Sequence, residues 1–348
     1  MSRRCLYCGM ELPEGSRGWF CKSSGHHILY KRQLLNALAN GTITDAQIAH
    51  LNQFNWMPAQ ANVTTNELPF GVVEAITEES PATDESEANE EIISVGKFGV
   101  ELECVVPSMN GNEQIVSEVN SIGYHMNDTG YTHVRTSYWK SLYDASVRAF
   151  DPTYTNKEYV SPPLVGEDGI KEMKAVCEVI KKAGGQTNYT TGTHVHLDAS
   201  DLTPQDIAKI IYFYGRFEGQ FDSLFPESRH LSKNRFCKSV KRFVKYCKRS
   251  GFEYFDSVFK LERVMNTRYV KVNVYSYLKH GTIEFRQHDG VLDGEALEMW
   301  IRLITRVVKY VKDGGDVVNV RGKIFKILGC TKKETQYWES VREAQRAA

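Results

Sequence analysis

At 348 residues, with 43 Lys and Arg balanced by 43 Asp and Glu, the chain is long enough for about two domains, and its global charge gives no reason to expect a nucleic-acid binder or a membrane-surface protein. A hydrophobic fraction of 41% and a charged fraction of 25% are ordinary for a globular protein with a sizeable core. No stretch approaches ~18 consecutive apolar residues and Arg3-Arg4 leads into no apolar run, so neither a transmembrane span nor a secretory or twin-arginine signal is expected, and the expected location is cytoplasmic.

The cysteines are unevenly placed. Cys5, Cys8 and Cys21 cluster near the start, while Cys104, Cys177, Cys237, Cys247 and Cys330 are scattered, which fits a metal cluster plus reduced thiols better than a disulfide framework. Cys5-x2-Cys8 lets two thiolates grip one Zn2+ from a turn, and Cys21 with His26, or with His27 as the alternative fourth ligand, would close the tetrahedron. A segment this small needs such a staple to fold. Helical spacing then runs through Ile28, Leu29, Leu34, Leu35 and Leu38, breaks at Asn40-Gly41, and resumes through Ile48, Leu51 and Phe54. Residues 1–58 therefore read as a zinc-binding module with a helical extension, suited to a protein or nucleic-acid partner or simply to packing on its neighbour. Between 74 and 91 the chain carries Glu74, Glu78, Glu79, Asp84, Glu85, Glu87, Glu90 and Glu91 and no base, so 59–93 is expected to be a flexible acidic linker.

Residues 94–348 form the predicted core domain. Lys97–Val105 alternates, with Glu101 and Glu103 on one face and Val100, Leu102 and Cys104 on the other. A helix is expected through Ile115, Val116 and Val119, with strands near 132–135 and 137–143 and a strand from Glu158 that ends at Pro162-Pro163. Residues 166–183 read as a helix that buries Ile170, Met173, Val176, Cys177, Val179 and Ile180 and stops at Gly184-Gly185. Thr191–Asp198 is a strand in which His194 and His196 share a face. Thr203-Pro204-Gln205-Asp206 is a helix start, followed by an apolar stripe from Ile207 to Leu224 that reads as core. From Arg229 to Arg249 there are nine Lys and Arg and no acid, mostly a solvated helix face. Lys271–Tyr277 alternates and turns through Gly281 into Thr282–Arg286, which predicts a hairpin with Lys271 and Asn273 on one face and Glu284 and Arg286 on a face of the partner strand. A long helix over 294–311 would back the sheet.

Three strands thus each carry a charged face, and buried carboxylates are costly unless they are paired or bind a cation. The order Glu-x-Glu (101, 103), Gly-x-His-x-His (192–196) and Ile-Glu-x-Arg (283–286) resembles the glutamine synthetase and glutamate–cysteine ligase superfamily. With Asp144-Ala145-Ser146 and Glu158-Tyr-Val-Ser-Pro-Pro-Leu164 added, residues 95–310 resemble more closely the amidoligases of phage and mobile elements, although Ala145 stands where that family's turn has Gly.

The resemblance implies an α+β, glutamine synthetase-like domain with a curved antiparallel sheet backed by helices. It implies an ATP-dependent carboxylate–amine ligase that works through an acyl phosphate, in the host cytoplasm if the gene is phage-borne, on small-molecule or peptide carboxylates and amines. Divalent cations, Mg2+ or Mn2+, must neutralise the transferred phosphoryl group. Carried over by position, Glu103 and Glu158 would hold one cation and Glu101, His194 and Glu284 another. His196 and Arg286 would face the phosphates and, with Glu284, form the catalytic set. Lys271 and Asn273, together with Arg229 and Arg235 from the loop before the basic helix, would contact the nucleotide or an anionic substrate. Two other classes share these residues: a metal-dependent amide hydrolase that needs no ATP, and a non-catalytic phage adaptor with a degenerate ligase core.

Overall fold

The computed structural model describes residues 92–347 except 131 and 133, together with Leu34, Thr44, Ile48 and Ala49. The chain divides into two compact units, 1–90 and 91–348. The expected zinc ligands Cys5, Cys8, Cys21, His26 and His27 and the acidic run at 74–91 lie outside the described residues. Among the described residues no helix is long and apolar enough to cross a membrane.

The second unit is built on β1 (Lys97–Pro107), whose even-numbered residues Phe98, Val100, Leu102, Cys104 and Val106 are all buried. Helix α1 (Gly111–Ser121) returns the chain to β2 (Met126–Asp128) and β3 (Trp139–Leu142), and β4 (Tyr154–Val160) and the short β5 (Leu164–Val165) lead into α2 (Gly166–Lys182). After β6 (Thr193–Asp198) come α3 (Pro204–Arg216), α4 (Glu218–Asp222), a 3-10 turn at Glu227–Arg229, α5 (Lys241–Ser250) and α6 (Val258–Met265). The chain then forms β7 (Val272–Asn273), α7 (Tyr275–His280), β8 (Thr282–Phe285), α8 (Gly294–Lys312), α9 (Ile324–Ile327) and α10 (Lys332–Ala347).

The strands make one sheet in the order β2-β3-β4-β1-β6-β8-β7, with β5 pairing off this path to β1. Every pair is antiparallel except β2 with β3. Helices cover the apolar face. Phe285 of β8 meets Tyr214 of α3 and Trp300 of α8, with ring centroids 5.9 and 6.5 Å away. The stripe from Ile170 to Ile180 on α2 is buried as its spacing predicts, and so are Leu297, Trp300, Ile301, Ile304 and Val307 on α8. Each such side chain contributes about 1.5–3 kcal/mol by leaving water, so this layer holds the sheet's other face in place. The start of α3 is a full capping box: Thr203 Oγ1 accepts from Asp206 N–H at 3.1 Å, and Asp206 Oδ2 accepts from Thr203 N–H at 3.2 Å.

Two sequence expectations are corrected. Residues 132, 134 and 135 lie outside any strand, because the ladder position beside β3 is taken by Met126–Asp128. The seven-residue strand expected from Lys271 stops after Asn273: its side-chain Oδ1 accepts from Tyr275 N–H at 2.9 Å and starts a helical turn, which Gly281 closes at φ 69°. Val272 and Asn273 still pair with Phe285 and Glu284, so the pairing of the predicted hairpin stands although its strand is short.

Candidate active site

Directly opposed residues of an antiparallel pair project to the same face, so the register alone assembles the site. Glu103 lies opposite Glu158 of β4. Glu101 lies opposite His194 of β6. His196 lies opposite Glu284 of β8, and Glu284 lies opposite Asn273 of β7. One row of acids and histidines therefore crosses five strands on the face away from the helices.

The contacts along this row are short. His194 Nδ1 lies 2.9 Å from Glu101 Oε2 and His196 Nε2 lies 3.2 Å from Glu101 Oε1, so both imidazoles converge on one carboxylate. Thr282 Oγ1 holds His196 Nδ1 at 3.0 Å. Glu103 Oε2 accepts from Gly192 N–H at 2.6 Å, and its other oxygen lies 3.6 Å from His194 Nε2. Glu284 accepts from Asn273 Nδ2 at 2.5 Å and is paired with Arg286, whose Nε donates to the Phe236 carbonyl at 3.3 Å. Arg229, only 3% exposed, donates to the Thr191 carbonyl. A Cβ at position 192 would lie 2.9 Å from the Arg229 guanidinium and 3.2 Å from His194 Nε2, so glycine is what lets Arg229 and His194 approach each other there.

The charges do not balance locally. Burial pushes Glu158 well above the usual carboxylate range, and the negative charges of Glu101, Glu103 and Asp144 push it further. Burial likewise raises Glu103, and Asp144 adds to the effect against the pull of His194. Burial alone would raise Glu101 as well, but hydrogen bonds from His194 and His196 overrule it and hold the group well below its ordinary value. Burial would raise Glu284 too, but the charges of Arg286, His196 and His194 together outweigh it and lower the group. Three sets of ligand atoms lie within 4.8 Å of one another: Glu101, His196 and Glu284; Glu101, Glu158 and His194; and Glu103, Asp144 and Glu158. Hard oxygen donors with one imidazole suit Mg2+ or Mn2+, and a cation here would relieve the mutual repulsion that now pushes Glu158 toward protonation.

Glu101, Glu103, Glu158, His194, His196, Glu284, Arg286 and Asn273 are thus brought together, and Arg229 stands beside them. His196 also sits among the carboxylates, in the set with Glu101 and Glu284, although His194 touches more of them. Lys271 is a correction. It is fully buried and paired with Glu218 and Asp222, two acids of α4, so a nucleotide cannot reach it. Arg235 is exposed and lies over the Phe236 ring, 4.5 Å from its centroid, which leaves it outside the row. Two residues of this face were not singled out as site residues from sequence. Asp144 joins Glu103 and Glu158. Lys140, 5% exposed, donates to the Val134 carbonyl at 2.9 Å, and burial lowers its ammonium pKa against the pull of Glu101 and Glu158. The alternation of Lys140 with Leu142 was visible, but only the pairing of Lys140 with Val160 and of Leu142 with Glu158 places it on this face.

No curated protein matches the chain. A family model described as "putative amidoligase enzyme" matches residues 95–308, which span the whole row from Glu101 to Arg286. The chain belongs to this amidoligase family.

Proposed function

We propose that the protein is an ATP-dependent carboxylate–amine ligase that makes an amide or peptide-like bond through an acyl phosphate. The observation that carries this reading is the cluster of the row's four glutamates and two histidines with Asp144 beside them, in which Glu101 and Glu158 each belong to two candidate cation sets. A hydrolase needs enough charge to activate one water, whereas a phosphoryl transfer must neutralise a triphosphate as well. Glu103, Asp144 and Glu158 would hold one divalent cation, and Glu101 and Glu284 with a histidine would hold another; bound there, the metals supply charge neutralisation for the phosphates.

The chain's own residues do the rest. Arg286 and Arg229 flank His194 from two sides and present fixed positive charge to the transferred group. Asn273 fixes the Glu284 carboxylate that Arg286 also grips. In the reaction, a substrate carboxylate oxygen attacks the γ-phosphorus and ADP leaves. The amine nitrogen then attacks the acyl carbon, phosphate leaves, and the amine's proton passes to solvent or a nearby base.

The test is nucleotide turnover with Mg2+ or Mn2+ against pools of amino acids and peptides, with products identified by mass. Glu103→Gln should keep the fold, since its amide oxygen can still accept from Gly192, and should abolish turnover. Amide hydrolysis supported by metal alone, without nucleotide, would replace the ligase with the hydrolase; binding without turnover would favour the adaptor. A zinc site at Cys5, Cys8, Cys21 and His26 or His27 remains part of the proposal. Metal analysis of the full chain should find zinc that is lost when Cys5 and Cys8 are changed to Ser.

A further inference from the structure

The Glu103 end of the row is bordered by two loops, 143–153 and 186–192. They are pinned to each other: Arg148 N–H donates to Thr190 Oγ1 at 3.0 Å, and Asn188 Nδ2 donates to the Arg148 carbonyl at 2.9 Å. Asn188 also holds its own loop, accepting from Thr190 N–H at 2.9 Å through Oδ1. From these two loops project Phe150 and Tyr189, whose rings stack at 5.2 Å between centroids and 25° between planes. They are 58% and 70% exposed. Two stacked aromatic rings held out by a hydrogen-bonded frame offer a flat, pre-ordered π face to a ligand.

Their position points to that ligand. Tyr189 is three residues from Gly192, whose N–H donates to Glu103, and three residues span at most about 11 Å. Phe150 is in the loop that carries Asp144, a member of the Glu103–Glu158 cation set. The stack therefore stands at the rim of the proposed phosphate site. Beside it, the exposed guanidinium of Arg148 makes no ion pair among the described residues, and its charge disfavours an amine and favours an anionic ligand. A planar ring with an anionic tail meets both demands.

We propose that the Phe150–Tyr189 stack is the base platform of the nucleotide site: the adenine ring of ATP extends the stack on an outer face, while its triphosphate reaches toward the divalent cation that Glu103, Asp144 and Glu158 would hold. This rests on the ligase reading above. Base–aromatic stacking tolerates any base with a π face, so the platform selects a nucleotide over bare phosphates more strongly than it selects adenine over guanine.

The test compares binding of Mg-ATP with Mg-tripolyphosphate by calorimetry on the full chain. Wild type should bind Mg-ATP about tenfold more tightly, the size of one stacked base. Tyr189→Ala and Phe150→Ala should each erase most of that preference and leave tripolyphosphate binding unchanged; Tyr189→Phe should keep it. Both positions are exposed, and near-native melting of the variants would show that the loss is local. If wild type prefers Mg-ATP and the Ala variants retain the preference, the platform is wrong and the ligase reading stands. If wild type binds neither ligand, both fall.

Discussion

Two clusters of buried charge, one around Lys271 and one in the active-site row, differ in whether they satisfy themselves. Around Lys271, every carboxylate oxygen has a partner. Glu218 accepts from Lys271 at 2.8 Å and from Ser239 Oγ at 2.8 Å; Asp222 accepts from Lys271, from Gln287 Nε2 at 2.6 Å and from Leu231 N–H at 3.0 Å. In the active-site row, Glu158 has no hydrogen bond or ion pair among the described residues to offset Glu101, Glu103 and Asp144. The first arrangement is complete in itself, and the second leaves Glu158 unmatched. Burial and charge type alone do not separate a structural network from a site; the unmatched remainder does.

Breaking the complete network should have the largest effect. Lys271→Met leaves two buried carboxylates without their cation and should cost about 3–5 kcal/mol, read as a large fall in the urea midpoint; a change below about 1 kcal/mol would show that the network is not structural. Adding Glu218→Gln and Asp222→Asn should recover part of the loss, since the stranded charges are then gone.

The incomplete cluster should behave in the opposite sense. Glu158→Gln removes one charge from a repelling set, so the metal-free protein should melt at the same temperature or higher. Because the folded pKa of Glu158 lies above its ordinary 4.5, the group favours folding below that value and loses this contribution as pH rises through the folded pKa. The advantage of the variant should therefore appear on the alkaline side. Saturating Mg-ATP, at a hundredfold over Kd, should stabilise wild type by about 2.7 kcal/mol and the variant by far less. Equal ligand-induced shifts in both proteins would remove Glu158 from the cation site.

A lone acid gives a smaller contrast. Glu262 on α6 has an unpartnered buried Oε1, and burial raises its pKa to about 7. Its ionisation between about pH 4.5 and 7 works against folding, so Glu262→Gln should gain about 1–2 kcal/mol at pH 8, after screening by the solvent that reaches it, and little at pH 4. The smallest expected effect is at the start of α3, where Thr203→Ala should cost about 1 kcal/mol at any pH; that flat profile is the baseline against which the pH dependence of Glu262 is judged.

What the sequence showed and hid follows from the range of the interactions. Period-two alternation marked Glu101 and Glu103, His194 and His196, and Glu284 and Arg286, because each pair is set by its own strand. The stripes of α2 and α8 were equally local. Lys271 was misplaced since its partners lie 49 and 53 residues away, and no pattern near Lys271 announces a buried acid there. Lys140 reached the site only through the pairing of β3 with β4, and Asp144, visible in its motif, gained a ligand role only through the fold of the loop after β3. The helical turn at Tyr275–His280 was hidden by an alternating sequence that a single Asn273 side chain interrupts.

The strand order has a consequence for synthesis. β1 is made first, yet it lies between β4 and β6, and the row is finished only when β8 pairs with β6. A nascent or truncated chain ending before residue 282 would hold Glu101, Glu103, His194 and His196 with no Glu284 or Arg286, and the edge of β6 would stand open. Such an edge is a template for association with other chains. Completion of the row and cover for the edge of β6 therefore arrive with the same stretch, β8 (Thr282–Phe285) and the Arg286 that follows it.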